Sequence, residues 1–286
     1  MGRPVTGGAG AADTPGPGDA RSRTVRSADG TPIAIFRAGA GPPLVLVHGA
    51  AADHTTFRVV GPPLARRFTL HAIDRRGRGA SGDTSPYAIE REFEDLAAVA
   101  TALARENGGP IDVFGHSYGG RCALGAALLT ADIRRVVSYE GAPTPPGERY
   151  GDDALPRELA ALAGAGQDET LLETFMTRVV GMSAEDLDRY RADPVWPRRV
   201  AAAKTIAREV AVESGDEAGL DRLGAVEQPV LQVLGGDSRR EFRVATAALD
   251  DRLANGTIVL IPGAKHAAHH THPDAVVEAV TAFLAS

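Results

Sequence analysis

The feature that most constrains this chain is a serine between two glycines, placed directly after a short apolar run. Residues 111–120 read I-D-V-F-G-H-S-Y-G-G, and an alanine- and leucine-rich stretch continues to Leu129. That order predicts a strand, a sharp turn and a helix, with Ser117 at the turn. Such a turn strains the backbone of the central residue and lifts its hydroxyl off the sheet. The turn is crowded, so side chains two residues before and two residues after Ser117 have little room, which explains glycine at positions 115 and 119.

A helix that begins at Ser117 has a chemical consequence. Its unpaired N–H groups and the positive end of its dipole face any oxyanion that forms at the serine. The letters G-x-S-x-G alone arise easily by chance in a chain with 33 glycines. The strand–turn–helix setting, and the segments before and after it, make the pattern informative.

Strand and helix patterns alternate on both sides of this turn. A hairpin around Asp29-Gly30 is predicted for residues 24–36, and a helix capped by Asp53 or a nearby threonine is predicted as far as Arg66. Repeated alternation predicts an α/β protein with a mostly parallel central sheet and helices on both faces. The other predicted strands lie at residues 44–47, 68–73, 133–139, 230–234 and 257–261, and the other core helices at residues 87–106, 239–253 and 275–284.

The alternation stops between residues 142 and 227. Glycine and proline separate several helix-like pieces here, at residues 156–163, 169–180, 184–192 and 198–212, and no convincing strand is found. The segment is too long for an unstructured loop in a compact domain. We therefore expect a helical cap, or lid, inserted after the sixth strand of the sheet, with residues 23–141 and 228–286 forming the core.

Composition limits the cellular compartment and the kinds of binding partner that we expect. Residues 1–22 are rich in Gly, Ala, Pro and Asp without a continuous apolar run, so we expect a disordered tail and no signal peptide. No apolar run reaches the length of a transmembrane helix, and the net charge of −6 gives no reason to expect nucleic acid or a membrane as partner. Cys122 is the single cysteine, which excludes an intramolecular disulfide. We expect a cytoplasmic protein with a small-molecule substrate, and the sequence leaves monomer and homodimer open.

Four short motifs occur in order along the chain. His48-Gly49 follows one strand, D-R-R-G-R-G-A-S at residues 74–81 follows the next, G-H-S-Y-G-G forms the elbow, and His266 follows the last strand. In this order and spacing the chain resembles the α/β-hydrolase fold superfamily over residues 24–286. It most resembles the small hydrolases of that fold that have an H-G oxyanion loop, a serine nucleophile and no cofactor. Dehalogenases and epoxide hydrolases of the fold carry aspartate where this chain has Ser117.

The resemblance implies a role for each motif residue. Ser117 is the nucleophile, and because a free serine hydroxyl is protonated at neutral pH it needs a base, for which His266 is the candidate. The oxyanion is assigned to the backbone N–H groups of Ala50 and Tyr118. His48 opens the oxyanion loop and His116 precedes the nucleophile, so both are expected to be structural or to line the substrate pocket.

The implied chemistry needs no cofactor, and we expect no metal. Four histidines near the end of the chain could suggest a metal site: His266, His269, His270 and His272. Neither cysteines nor a second cluster of carboxylates accompany them. The solvated start of the last helix therefore explains them better than metal ligation.

The acid that should orient His266 has two candidates. In the superfamily it usually follows the seventh strand as G-x-x-D, but residues 235–238 read G-G-D-S, so Asp237 comes one residue early. A minority arrangement places the acid after the sixth strand, where Glu140 stands. The sequence favours Glu140 slightly and leaves Asp237 open.

These residues lead to one main functional expectation and several alternatives. We expect a serine hydrolase that cleaves an ester, lactone or related acyl bond of a small, largely apolar molecule through an acyl-enzyme. The alternatives are a C–C bond hydrolase, a cofactor-free cyclase or acyl transferase, and a ligand-binding protein without turnover. The cap would supply apolar residues to the pocket, with candidates Phe175, Met176, Val179, Met182, Tyr190 and Trp196.

Overall fold

The computed structural model describes residues 22–213 and 215–285. The predicted tail, residues 1–22, lies outside this range except for Ser22, which begins the first strand. Eight strands form one sheet: β1 Ser22–Arg26, β2 Pro32–Ala38, β3 Pro43–Val47, β4 Thr69–Ile73, β5 Ile111–His116, β6 Ile133–Tyr139, β7 Val230–Gly235 and β8 Gly256–Ile261.

The strands are ordered β1-β2-β4-β3-β5-β6-β7-β8 across the sheet. The pairs β1–β2 and β2–β4 are antiparallel, and every other neighbouring pair is parallel. This confirms the predicted mostly parallel sheet and the hairpin at its edge. The carboxyl ends of β3, β5, β6 and β7 therefore meet at one edge, where a ligand site is expected.

Helices cover both faces of the sheet. In chain order they are α1 Gly61–Ala65, α2 Ile89–Asn107, α3 Tyr118–Ala127, α4 Leu155–Gly164, α5 Asp168–Phe175, α6 Ala184–Arg191, α7 Trp196–Ala203, α8 Ile206–Val212, α9 Leu220–Leu223, α10 Arg240–Asp250, α11 Ala268–Thr271 and α12 Pro273–Ala285. Within the described chain, none of these helices combines the length and the apolar composition that crossing a membrane requires.

The two faces of the sheet follow from the alternation of side chains along each strand. In β3, Val45 and Val47 belong to the apolar cluster that α2, α3 and α10 cover. Leu44 and Leu46 belong to the opposite cluster, with α1 and α12. Because β3 is apolar on both faces, it must lie in the middle of a covered sheet.

The segment after Asp53 differs from the predicted single helix. A 3₁₀ turn, His54–Phe57, comes first, and the Asp53 carboxylate accepts a hydrogen bond from the Thr55 N–H at 3.0 Å. Only the five-residue α1 follows, with Pro62 and Pro63 in its first turn. Proline is tolerated at a helix start and not in its interior, so the prediction of one helix through Arg66 is wrong.

The segment between β6 and β7 is helical and contains α4 to α9. Most of its apolar residues form a separate cluster, which includes Leu155, Leu171 and Ile206 and reaches the core at Ala51. The last helix, α9, instead packs in the cluster with α2 and α3. Ion pairs also join this segment to the core: Asp53 binds Arg198 at 2.7 Å and Arg199 at 3.2 Å.

Candidate active site

Ser117 lies at a strained turn between β5 and α3, with φ 53° and ψ −125°. The turn is fixed to β6, because the Ser117 N–H donates to the Tyr139 carbonyl at 2.7 Å. A Cβ on Gly115 would lie 2.3 Å from the Gly119 carbonyl oxygen, and a Cβ on Gly119 would lie 2.3 Å from that of Val47. The close approach of the neighbouring backbones therefore requires glycine on both sides of the serine.

Glu140 directly follows β6 and is also held at a positive φ, 46°. Its buried carboxylate accepts from the Gly235 N–H at 2.8 Å and from the Ser238 hydroxyl, both through Oε1. Its Oε2 lies 2.6 Å from His266 Nδ1. Because a carboxylate only accepts, Nδ1 carries the proton, and Nε2 is the nitrogen that can take one from a nucleophile.

The structure brings Glu140, and not Asp237, to His266. The Asp237 side chain is exposed, and its backbone N–H donates to the Ala264 carbonyl at 2.8 Å. Ser238 occupies the place at which the resemblance expected the acid, and its buried hydroxyl supports Glu140. Ser238 is thus a site residue that the sequence reasoning missed, although the shifted aspartate had pointed to this turn.

His116 supports the loop that carries His266. Its Nε2 donates to the His266 carbonyl at 2.9 Å, and the two rings lie 4.8 Å apart. Burial, together with the charge that His266 can carry, holds the pKa of His116 well below its usual value. On its other side, the His266 ring stacks on Phe242 at 4.3 Å. His116 therefore acts as a neutral hydrogen-bond donor that fixes the loop.

The loop that contains Ala50 passes close to the serine, since a Cβ on Gly49 would lie 3.0 Å from Ser117 Cβ. Tyr118 is the first residue of α3, so its N–H has no acceptor within the helix. Both residues line the cavity that contains Ser117. The assignment of the oxyanion to the backbone N–H groups of Ala50 and Tyr118 stays a prediction, for two residues that both line the cavity.

His48 supports the loop that contains Gly49 and Ala50. Its buried ring accepts the Arg75 N–H at Nε2, 3.0 Å away, and donates from Nδ1 to the Gly49 carbonyl at 2.9 Å. Burial, and next the charge of Arg75, lower its pKa well below the usual value. His48 is therefore neutral, with its proton on Nδ1, and it supports the loop from outside the pocket.

A cluster of buried charges beneath Tyr118 was also missed by the sequence reasoning. The Arg75 guanidinium binds Glu92 at 2.7 Å and Glu209 at 2.7 Å, and it lies 4.5 Å from the centre of the Tyr118 ring. Arg75 also donates to the Gly49 carbonyl at 3.2 Å. Burial alone would lower the pKa of Arg75, but the charge of Glu92 raises it. The D-R-R-G-R-G-A-S motif thus contributes a cation that holds the loop containing Gly49 and Ala50.

The Ser117 cavity is small, about 30 Å³, and is lined both by residues at the strand ends and by residues of the helical segment between β6 and β7. Its wall contains both apolar and charged side chains. The lining residues are Ala50, Ser117, Tyr118, Arg121, Glu140, Gly141, Tyr150, Phe175, Val179, Val180, Glu209, Val210, Glu213, Phe242 and His266. Phe175 and Val179 were among the cap residues expected to line a pocket.

Six of the residues predicted for the pocket do not line this cavity: His48, His116, Met176, Met182, Tyr190 and Trp196. His48 and His116 are engaged in supporting the two loops. Trp196 is buried inside the cap, where its indole N–H donates to Glu169 at 2.8 Å. Met182 packs at the border of the same apolar cluster. The structure does not bring these residues to the cavity.

The chain is similar to a known protein family and to several characterised proteins. The model of the family described as "Alpha/beta hydrolase family" matches residues 44–279. A 2-(acetamidomethylene)succinate hydrolase of Mesorhizobium japonicum is 27% identical over 252 residues, covering 86% of this chain and 89% of the relative. A pimeloyl-[acyl-carrier protein] methyl ester esterase of Aeromonas hydrophila is 26% identical, covering 88% and 99%. The crystal structure of an alpha/beta hydrolase from Sphaerobacter thermophilus is 34% identical, with a TM-score of 0.77, covering 90% and 100%.

The geometry predicts which carboxylate orients His266. Replacement of Glu140 by Gln should lower kcat by up to ~10⁴-fold, because the imidazolium formed during catalysis loses its carboxylate. Asp237→Asn is the control with the same chemical change at the exposed candidate, and its kcat should stay within about twofold of wild type. Both variants are assayed on one activated ester, with thermal melts to check folding. A large loss in Asp237→Asn alone would contradict the arrangement.

Proposed function

The chain belongs to the alpha/beta hydrolase family and is a serine hydrolase, and we propose that it cleaves an ester, lactone or related acyl bond of a small, mostly apolar molecule. The observation that carries this proposal is the 2.6 Å contact between His266 Nδ1 and Glu140 Oε2, at a cavity that also contains Ser117. A nucleophile, a base and an acid that orients the base are the parts that acyl transfer to water requires.

In the proposed first step, Ser117 Oγ attacks the acyl carbonyl carbon while His266 Nε2 takes the hydroxyl proton. The carbonyl oxygen becomes an oxyanion, which accepts hydrogen bonds from the N–H groups of Ala50 and Tyr118. One such donor contributes about 3–4 kcal/mol in comparable sites. The C–O bond of the leaving group then breaks, and His266 returns the proton to the departing oxygen.

In the second step, the acyl-Ser117 ester is hydrolysed by the same groups. His266 takes a proton from water, the resulting hydroxide attacks the acyl carbon, and Ser117 leaves with the proton from His266. Glu140 stays ionised throughout and stabilises the imidazolium in both steps. Its three acceptor contacts, to Gly235, Ser238 and His266, hold it in one orientation.

The cap acts in this proposal as a lid. The cavity is small, about 30 Å³, and we expect the cap to shift when an acyl chain enters. Phe175 and Val179 come from the cap and line the same cavity as Ser117. The lid thereby excludes water around the reacting bond and limits the size of the acyl group.

Covalent labelling tests the nucleophile. A fluorophosphonate probe should label the wild-type protein at Ser117 within minutes, because only a serine with an oriented base reacts quickly. Ser117→Ala should lose labelling and at least ~10⁴-fold of kcat on an activated ester, with its thermal melt unchanged. Ser183→Ala, at the exposed start of a cap helix, is the matched control and should keep both. An unlabelled wild-type protein would instead indicate a ligand-binding protein without turnover.

The lid proposal predicts a change in acyl-chain preference. Phe175→Ala removes a ring from the cavity wall, so the ratio of kcat/KM for long to short acyl esters should rise about tenfold. Leu159→Ala removes a similarly buried side chain of the cap that does not line the cavity. This control should lower the melting temperature and leave the ratio unchanged. Equal changes of the ratio in both variants would count against the lid.

A further inference from the structure

Tyr139 is the last residue of β6 and directly precedes Glu140. Its side chain is fully buried, in the apolar cluster that α1 and α12 cover. The hydroxyl of a buried tyrosine needs hydrogen-bond partners. Both of its partners lie in the loop that carries His266, because the hydroxyl donates to the Lys265 carbonyl and accepts from the Ala268 N–H at 2.8 Å.

These two hydrogen bonds lie on either side of His266, which is in a turn. In a four-residue turn, the carbonyl of the first residue and the N–H of the fourth are the groups that commonly bond to each other. In the turn of residues 265–268, both of these groups bind the Tyr139 hydroxyl. His116 holds the same turn at the His266 carbonyl, at 2.9 Å. The backbone around His266 is therefore fixed by two buried side chains.

The Tyr139 hydroxyl acts on the reaction only through other groups. Burial, and next the charge of Glu140, raise the pKa of Tyr139 well above its usual value, so the hydroxyl keeps its proton at neutral pH. It can therefore donate one hydrogen bond and accept another at the same time. Tyr139 does not line the cavity that contains Ser117, and the centre of its ring lies 6.2 Å from that of His266.

The backbone of Tyr139 is bound to the nucleophile as well. Its carbonyl accepts the Ser117 N–H at 2.7 Å, and its peptide bond leads directly into Glu140. Glu140 Oε2 in turn lies 2.6 Å from His266 Nδ1. A misplacement of about 1 Å can lower the rate of an enzyme about 10²-fold. A residue that joins the nucleophile, the acid and the loop of the base therefore controls a distance on which the rate depends.

We infer that Tyr139 is a positioning residue whose hydroxyl holds the turn of residues 265–268 so that His266 Nδ1 stays on Glu140. This inference rests on the proposed acyl hydrolysis at Ser117. Without the hydroxyl the base is still present, but the turn that carries it is less restricted, and the imidazole is in the reactive orientation for less of the time. The loss falls on the chemical step and not on binding of the acyl group.

Tyr139→Phe tests the role of the hydroxyl, because it keeps the ring and the carbonyl that binds Ser117. On one ester substrate, kcat should fall at least about tenfold. The dissociation constant of an unreactive ether analogue of that ester, measured by calorimetry, should stay within about twofold of wild type, because Tyr139 does not line the cavity. Wild-type kcat in a folded Tyr139→Phe protein, or a loss of binding that accounts for the whole effect, would overturn the inference.

A double-mutant cycle shows whether the hydroxyl acts through the contact between Glu140 and His266. Glu140→Gln already removes the carboxylate from that contact, so adding Tyr139→Phe should lower kcat by less than about threefold more. A hydroxyl that only stabilised the core would cause the same additional loss in both backgrounds. Losses that multiply in the double variant would therefore contradict the positioning role.

Tyr190 provides a matched control in α6. Its ring packs edge-on against Trp196 at 5.4 Å, and it does not line the cavity. Tyr190→Phe removes the same atom and should keep kcat within about twofold of wild type. A loss as large as that of Tyr139→Phe would assign the effect to a general loss of stability and overturn the inference.

A second variant keeps every side chain and tests the same bond if Tyr139→Phe does not yield folded protein. Replacement of Ala268 by the corresponding α-hydroxy acid turns its backbone N–H into an ester oxygen, which cannot donate to the Tyr139 hydroxyl. This change should lower kcat at least about threefold. An unchanged kcat would show that the bond does not position His266.

Failure of the proposed hydrolysis would be seen separately, as the absence of both turnover and fluorophosphonate labelling in the wild-type protein. In that case the position of His266 is followed by proton NMR. The proton shared between His266 Nδ1 and Glu140 should give a resonance far downfield, assigned by its loss in Glu140→Gln. Tyr139→Phe should broaden this resonance or move it upfield, and Tyr190→Phe should not. A resonance that Tyr139→Phe leaves unchanged would overturn the inference.

Discussion

The rest of the site depends on the contact between Glu140 and His266, which joins the ends of separate strands. Glu140 follows β6, His266 follows β8, and the Gly235 and Ser238 donors come from the turn after β7. The parallel register places these three strand ends side by side, next to the turn that carries Ser117. A one-residue shift in any of these pairings would turn the side chains to the opposite face and separate the carboxylate from the imidazole.

Buried charge supports the structure on the other side of Ser117. Arg75 contacts the Gly49 carbonyl and the Tyr118 ring, and its charge is balanced by Glu92 from the core and Glu209 from α8. Burying several charges is costly, and it is tolerated only where each ion is paired and hydrogen-bonded. Glu209 therefore connects the position of the helical segment to the geometry of the loop that contains Gly49 and Ala50.

Much of the fold could be predicted because strong local patterns encode it. The apolar strands, the two glycines around Ser117 and the proline- and glycine-broken helices between β6 and β7 each depend on short-range geometry. The helix after Asp53 was predicted wrongly because Pro62 and Pro63 restrict the chain more than the surrounding pattern suggested. Ser117 and His266 could be placed at one edge of the sheet because both follow parallel strands. Ser238 and Glu209 could not be assigned, because their partners lie 98 and 134 residues away in the chain.

The most direct measurement is a crystal structure of the protein after reaction with a fluorophosphonate. The account predicts phosphorus bonded to Ser117 Oγ, with the phosphonyl oxygen about 2.7–3.1 Å from the backbone nitrogens of Ala50 and Tyr118. It also predicts that His266 Nδ1 remains on Glu140 and that Asp237 stays at the surface. Phosphorus on another residue, or a His266 ring turned to Asp237, would contradict the account.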